Sequence, residues 1–317
     1  MTDTSNPPEL WALVLAGGDG RRLQELTRRL AGRPIPKQYC RIAGDRSMLE
    51  ATLDRIAPLV PRERTLVIVN RDHLDLARSQ LAGLPPENML VQPSNRDTGP
   101  GLLWSLLALE RRAPGALLAT LPSDHYIADD SAFRECVRRT ADVIDERPGK
   151  LGLIGIRPEE PSPEYGYVLP ATRLAAERTP PVFEVAAFAE KPPRARARAI
   201  VRQGGLWNSF VMVFRTARML ELLSRVRPRD HDAMRALASD AAALERHYAS
   251  LEPWNFSTDF LSRVVPELLV LQADGLGWSD WGTPRSIERT FAAMNVVPPW
   301  LAAPPARAER TPRSAVA

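Results

Sequence analysis

The sequence predicts an α/β fold with a mainly parallel sheet and flanking helices. Three observations carry that expectation: short apolar runs recur along the chain, segments of helical periodicity separate them, and the first run breaks into a glycine-rich turn. Sheets of this kind bind ligands beyond the carboxyl ends of their strands, which is where the glycine turn falls.

The first strand is the run Leu10-Trp11-Ala12-Leu13-Val14-Leu15-Ala16, followed by Gly17-Gly18-Asp19-Gly20-Arg21-Arg22-Leu23. Three glycines in four positions leave backbone N–H groups open and permit positive φ, so the loop can wrap an anion, and two arginines bring charge. A plain turn of a βα unit is the other reading of this stretch. Residues 66–69, 89–91, 116–119 and 151–156 are the next strands, each short, apolar and suited to a buried parallel sheet. Between the last two, residues 130–146 place Phe133, Val137, Ala141 and Ile144 three or four apart, which makes one apolar helix face.

After Ile156 the texture changes. Pro158, Pro161 and Pro163 form a connection, residues 165–168 and 182–188 read as strands, and 268–272 is a late strand, so this half is expected to be α+β on the same sheet. Residues 298–317 are rich in Pro, Ala and Arg with almost no apolar periodicity and are expected to be a disordered tail.

With 317 residues, 44% of them hydrophobic and 25% charged, the chain can bury a large core. The formal net charge is only +4 and no block of five like charges occurs, which argues against a nucleic-acid partner. Two cysteines, Cys40 and Cys136, suggest neither a disulfide framework nor a zinc pair, and a reducing cytoplasm is the expected home. No leader pattern is visible, and no apolar run approaches the ~18 to 20 residues needed to span a bilayer, so no membrane partner is expected. Only three basic residues are lysine, Lys37, Lys150 and Lys191, and two of these fall inside motifs.

Lys37 lies in Pro36-Lys37-Gln38-Tyr39, where a compact ammonium could reach the anion of the glycine loop. In residues 92–100 (QPSNRDTGP), polar side chains end a strand and Thr98 or Gly99 is expected to cap a helix, with amides free to read a base edge. Asp124, in Leu121-Pro122-Ser123-Asp124-His125, ends a buried strand, and Asp280, in Trp278-Ser279-Asp280-Trp281-Gly282, follows a late one. Two hard oxygen ligands together with phosphates suit Mg²⁺, although each aspartate alone reads as a cap or turn residue.

The order GGxGxRL, PKQ, QPxxRxT, PSDH, YGY, FxEKP, WNS and WSDxG, from about Leu10 to Gly282, resembles the sugar-1-phosphate nucleotidyltransferases, most of all those that guanylylate mannose 1-phosphate. The resemblance implies a Rossmann-like, nucleotide-diphospho-sugar transferase fold over residues 1–297, with a nucleotide-binding half at 1–156 and a sugar-binding half at 157–297. It implies that a sugar 1-phosphate attacks the α-phosphate of a nucleoside triphosphate, best guessed as mannose 1-phosphate and GTP, and expels pyrophosphate. These two substrates are the expected partners, and a homodimer is the one assembly considered.

By the same resemblance Gly17, Gly18 and Gly20 cradle the triphosphate, Arg22 and Lys37 neutralise reacting phosphates, and Asp124 and Asp280 carry Mg²⁺. Gln92, Asn95, Arg96 and Thr98 would contact the nucleobase end. On the sugar side Glu190 accepts hydroxyl hydrogen bonds, Lys191 pairs with the sugar phosphate, Gly166 allows close backbone approach, and Asn208 offers an amide. Trp207 reads as a core aromatic.

The chain also departs from the family pattern. Arg21 replaces a small residue, the span from Thr27 to Pro36 is longer than usual and reads as a different lid, Asp97 replaces asparagine, and Phe210 stands where glycine follows Asn-Ser. These departures keep open a non-catalytic relative that binds nucleotide sugars in a regulatory role, another nucleotidyltransferase specificity, and an enzyme that transfers sugar from a nucleoside diphosphate.

Overall fold

The computed structural model of the chain describes residues 9–174, 179–298 and 300–301. Among them nine strands form one sheet: β1 Leu10–Ala16, β2 Thr65–Asn70, β3 Met89–Gln92, β4 Leu117–Pro122, β5 Leu151–Ile156, β6 Tyr167–Arg173, β7 Val182–Ala189, β8 Leu206–Arg215 and β9 Leu268–Ala273. Their order is β3-β2-β1-β4-β8-β5-β9-β7-β6, with β8 also pairing β6.

Strand direction follows from the pairings. β1 to β4 pair in parallel, β8 is antiparallel to both β4 and β5, β5 and β9 are parallel, and β7 is antiparallel to both β6 and β9. Only β7 and β8 therefore run against the other strands, and the sheet is mixed but mainly parallel, as its sequence predicts.

β8 is the strand that periodicity passed over. Because it enters antiparallel between β4 and β5, its first residues lie at the carboxyl edge of those strands, with Asn208 opposite Gly155. Residues 165–168, expected as a strand, straddle its start: β6 begins at Tyr167, while Tyr165 and Gly166 stay in the preceding turn.

Alternation along β1 sends Ala12, Val14 and Ala16 to one face and Leu13 to the other, and both faces are covered. Helix Asp130–Glu146 covers the first with Phe133, Val137, Ala141 and Ile144, each at most 4% exposed. Gly152 on β5 permits the close approach, since a Cβ there would lie 2.4 Å from the Thr140 methyl. On the other face, helix Thr98–Glu110 buries nearly every side because helices Thr216–Val226, Pro228–Ala236 and Ala241–Ser250 pack outside it. Burying each of its leucines contributes about 1.5–3 kcal/mol.

The span from Thr27 to Pro36 is partly helical. Helix Gln24–Ala31 occupies its first half, Gly32 ends the helix at φ 74°, and the Ile35 amide donates to the buried Thr27 hydroxyl at 3.3 Å. Of the predicted tail, only Pro298, Trp300 and Leu301 fall within the described residues, Trp300 standing edge-on to Phe291. Among the described residues no helix is long and apolar enough to cross a membrane.

Candidate active site

β2 and β3 lie on one side of β1 and β4 on the other, so the order reverses at the carboxyl ends of β1 and β4. A cleft of ≈ 960 Å³ opens there, and Gly17, Gly18, Gly20, Arg22, Lys37, Gln92, Asn95, Thr98, Asp124 and Lys191 line it.

The glycine loop is held from beneath by buried polar side chains. Gln38 Nε2 donates to the Gly18 carbonyl at 2.7 Å and the Ala16 carbonyl at 3.1 Å, while the Ser123 hydroxyl donates to the Leu15 carbonyl at 2.7 Å. The three glycines serve different ends. Gly20 has φ 62° and a Cβ there would lie 2.8 Å from the Lys37 nitrogen; Gly17 leaves room for Gln92, whose Nε2 would be 2.5 Å away; Gly18 faces open space. Of the positions where glycine permits positive φ, only Gly20 adopts it. Arg22 pairs with Glu164 at 3.3 Å, whereas Arg21 is 83% exposed and pairs with Asp19.

Lys37 sits in a 3₁₀ turn, Lys37–Tyr39, with its side chain only 7% exposed. Its ammonium lies 3.2 Å from Asp124 Oδ2 and donates to the Asp280 and Trp281 carbonyls, the latter at 3.1 Å. A short bridge between Tyr126 and Ser279 brings the two aspartate-bearing segments together. Asp280 Oδ1 accepts from the Tyr165 hydroxyl at 3.1 Å and the Gly282 amide at 2.9 Å. Burial disfavours the charge on Asp124, but the Lys37 ammonium and hydrogen bonds outweigh it and hold the carboxyl below its ordinary value.

His125 was given no role by its sequence context. It accepts a hydrogen bond at Nδ1 from Trp278 Nε1 at 3.2 Å, so its proton sits on Nε2, and burial lowers its pKa and keeps it neutral. Among the described residues no group of three or more His, Cys, Asp or Glu is placed to hold a metal ion. Asp124 lines the cleft and Asp280 is tied to it through the Lys37 ammonium; carboxylate oxygens of this kind, with phosphate and waters, are the ligand chemistry that Mg²⁺ takes.

At the end of β3, Gln92 is buried. Its Nε2 donates to the Gly17 carbonyl at 3.3 Å and its Oε1 accepts from Tyr248 at 2.9 Å, so this side chain braces the glycine loop. Arg96 lies off the cleft, donating to the Ala249 carbonyl. The helix cap differs from expectation: Asp97, not Thr98 or Gly99, is the N-cap, its carboxylate accepting from the Thr98 amide at 2.6 Å. Its φ of 65° and ψ of −174° lie outside the left-handed helical region, in a conformation that is otherwise almost confined to glycine.

Beside the cleft, Gly166, Glu190 and Asn208 form a second group. A Cβ on Gly166 would lie 2.5 Å from Glu190 Oε2, and the Asn208 backbone N–H donates to the Gly166 carbonyl at 2.8 Å. Burial pushes the Glu190 carboxyl above its ordinary value, Asp97 adds to this, and Lys191 and Ser257 oppose it. Lys191 lines the cleft at φ 41° and Phe210 lines it at φ 59°, a left-handed conformation that costs a bulky residue about 1–2 kcal/mol. Trp207 is 4% exposed against Tyr165 and Trp278, in the core.

A family model described as nucleotidyl transferase matches residues 11–295. The chain belongs to the nucleotidyl transferase family. It is 35% identical over 291 residues to the mannose-1-phosphate guanylyltransferase of Escherichia coli K12, covering 88% of this chain and 59% of that one. The mannose-1-phosphate guanylyltransferase ManC of Salmonella typhimurium is 34% identical with the same coverage. This nucleotidyl transferase chain thus spans about three fifths of the length of these relatives. A crystal structure of a mannose-1-phosphate geranyltransferase from Thermus thermophilus matches with a TM-score of 0.78 and 36% identity, covering 90% of this chain and 79% of that one.

Proposed function

We propose that the chain transfers a nucleotidyl group from a nucleoside triphosphate, GTP, to a sugar 1-phosphate, mannose 1-phosphate, releasing pyrophosphate. The observation that carries this reading is the convergence of the glycine loop, Arg22, Lys37 and Asp124 on one cleft at the reversal of strand order. The names of the relatives support the choice of base and sugar.

A phosphate oxygen of the sugar 1-phosphate forms the new P–O bond to the α-phosphorus while the bond to the β-phosphate oxygen breaks and pyrophosphate leaves. The nucleophile is already an anion, so no general base is required. The task is to neutralise two anions that repel each other and to align them. Gly17, Gly18 and Gly20 present backbone to the triphosphate, Arg22 and Lys37 bring positive charge to the reacting phosphates, and Asn95 and Thr98 line the nucleobase end. Lys191 pairs with the sugar phosphate while Glu190, Asn208 and the Gly166 backbone hold the sugar. Asp124 and Asp280 would hold Mg²⁺, which polarises the α-phosphoryl group and neutralises developing charge when bound. The substrates and their small anionic product suit a cytoplasmic enzyme, and the homodimer is a matter for light scattering.

Pyrophosphate release that requires both GTP and mannose 1-phosphate tests the reading; release of a nucleoside diphosphate would replace it. Within the loop, Arg22→Ala is expected to lower turnover by about 10² or more, and Arg21→Ala by much less, because the Arg21 side chain is the more exposed of the two, 83% against 59%, and is turned back to Asp19 of its own loop. Equal losses in steady-state kinetics would mean that the arginine at the reacting phosphates is misassigned.

Glu190 gives a pH signature. Ionised, its two oxygens accept sugar hydroxyls, so KM for the sugar 1-phosphate is expected to fall as pH rises through a limb displaced upward from the ordinary carboxyl value and to level off above it. Stability runs the opposite way. The folded state holds this proton more tightly, so the contribution of the group is greatest at low pH and is lost as pH rises from the ordinary value through the raised one. Glu190→Gln removes the limb from the KM profile; a limb that survives belongs to another group.

A further inference from the structure

We infer that Phe210 walls the cleft beside Lys191 and Asn208 and restricts the substrate to sugar 1-phosphates that carry hydroxyls rather than bulkier ring substituents. The inference rests on the proposed transfer to a sugar 1-phosphate and adds a determinant of which sugar is taken.

The backbone is built to present this side chain. Pairing of β5 with β8 is regular up to Leu153 opposite Met212 and resumes at Gly155 opposite Asn208, so one residue of β5 faces three of β8 across a bulge. Bulges beside active sites turn a side chain away from the ordinary alternation. Phe210 is the middle residue of this one, and its φ of 59° lies in a region where a bulky side chain is a genuine outlier. Polar side chains of the bulge satisfy the irregular backbone: Asn208 Oδ1 accepts from the Phe210 amide at 3.1 Å, Ser209 Oγ accepts from the Val211 amide at 3.2 Å, and the same hydroxyl donates to the Ile154 carbonyl at 2.5 Å.

The ring lines the cleft with Lys191, and Phe256 supports it edge-on at 6.0 Å between centroids. Phe256 is itself fully buried, so the ring has no room to retreat on that side. Asn208, two residues earlier on the same strand, belongs to the group with Gly166 and Glu190. Strain that persists at a cleft wall is held there by the surrounding fold and points to a task at that place. A rigid aromatic wall next to the hydroxyl-binding group excludes volume without contributing a polar contact, and shape exclusion of this kind discriminates by about 10- to 200-fold.

The test compares hexose 1-phosphates carrying only hydroxyls with 2-acetamido hexose 1-phosphates, in the parent chain and in Phe210→Gly and Phe210→Leu. The parent is expected to favour the hydroxyl-only substrate in kcat/KM, and Phe210→Gly to reduce that preference by about tenfold or more, with Phe210→Leu in between. The same ratio read as affinity by calorimetry decides the matter even in a chain without turnover. Absence of turnover with both sugars would overturn the proposed reaction, while the affinity ratio still reports on the wall. A parent that takes both substrates equally, or a ratio that glycine leaves unchanged, would overturn the assignment of Phe210.

Discussion

Asp124→Asn is expected to lower pyrophosphate release by about 10³-fold or more while leaving the fold intact. Asparagine preserves the shape of the side chain and removes its charge, and Asp124 is 40% exposed at the cleft wall, so the change is felt chiefly by what binds there. Two consequences act together. A metal ion loses one of two carboxylates, and Lys37 loses the partner that holds its ammonium 3.2 Å away. The measurement is turnover against Mg²⁺ concentration, with circular dichroism as the control for folding. A variant as fast as the parent would mean that Asp124 does not belong to the metal site.

The second large effect is expected at Lys37. Lys37→Met should lower turnover by about 10²- to 10³-fold, because it keeps the buried stem and removes the ammonium. Lys37→Arg should not restore activity. The ammonium sits among three oxygens, from Asp124, Asp280 and Trp281, in a site where the side chain is 7% exposed, and a planar guanidinium needs more room and a different donor geometry. Restoration of more than about a tenth of the activity by arginine would show that charge alone, and not a compact movable charge, is wanted at this position.

Much of the architecture was legible because buried strands and helix faces carry strong periodic signals. Residues 151–156 coincide with β5, and Phe133, Val137, Ala141 and Ile144 form the buried face of their helix. β8 was not legible as a strand. Its residues 210–214 are an apolar run like those of the other buried strands and were passed over, while its opposite direction is set by long-range pairing with β4 and β5 that local pattern does not encode. The helices between Thr216 and Asp259 form a second outer layer, and the helix beneath them is buried on nearly all sides, which blurs its apolar face.

At the site, ten of the residues singled out in the sequence line one cleft, since most of them end or follow the parallel strands β1, β3 and β4. The supporting side chains were harder to see. Gln38 and Ser123 stood inside recognised motifs, but their hydrogen bonds run to backbone carbonyls of the first strand and its loop, partners that a linear pattern does not name. Gln92 reads from sequence as a base contact and is found bracing the loop, because a buried amide satisfies both its groups before any ligand arrives. Asp97 caps its helix where Thr98 was expected to, since its own backbone leaves the helical region at φ 65°.

The most direct measurement of the whole account is pyrophosphate release from a panel crossing four nucleoside triphosphates with several sugar 1-phosphates in the presence of Mg²⁺. Release should be greatest with GTP and mannose 1-phosphate, depend on both, and stop when the metal is chelated. Binding of nucleotide sugar with no release from any pair would contradict the account and leave a binding protein in its place.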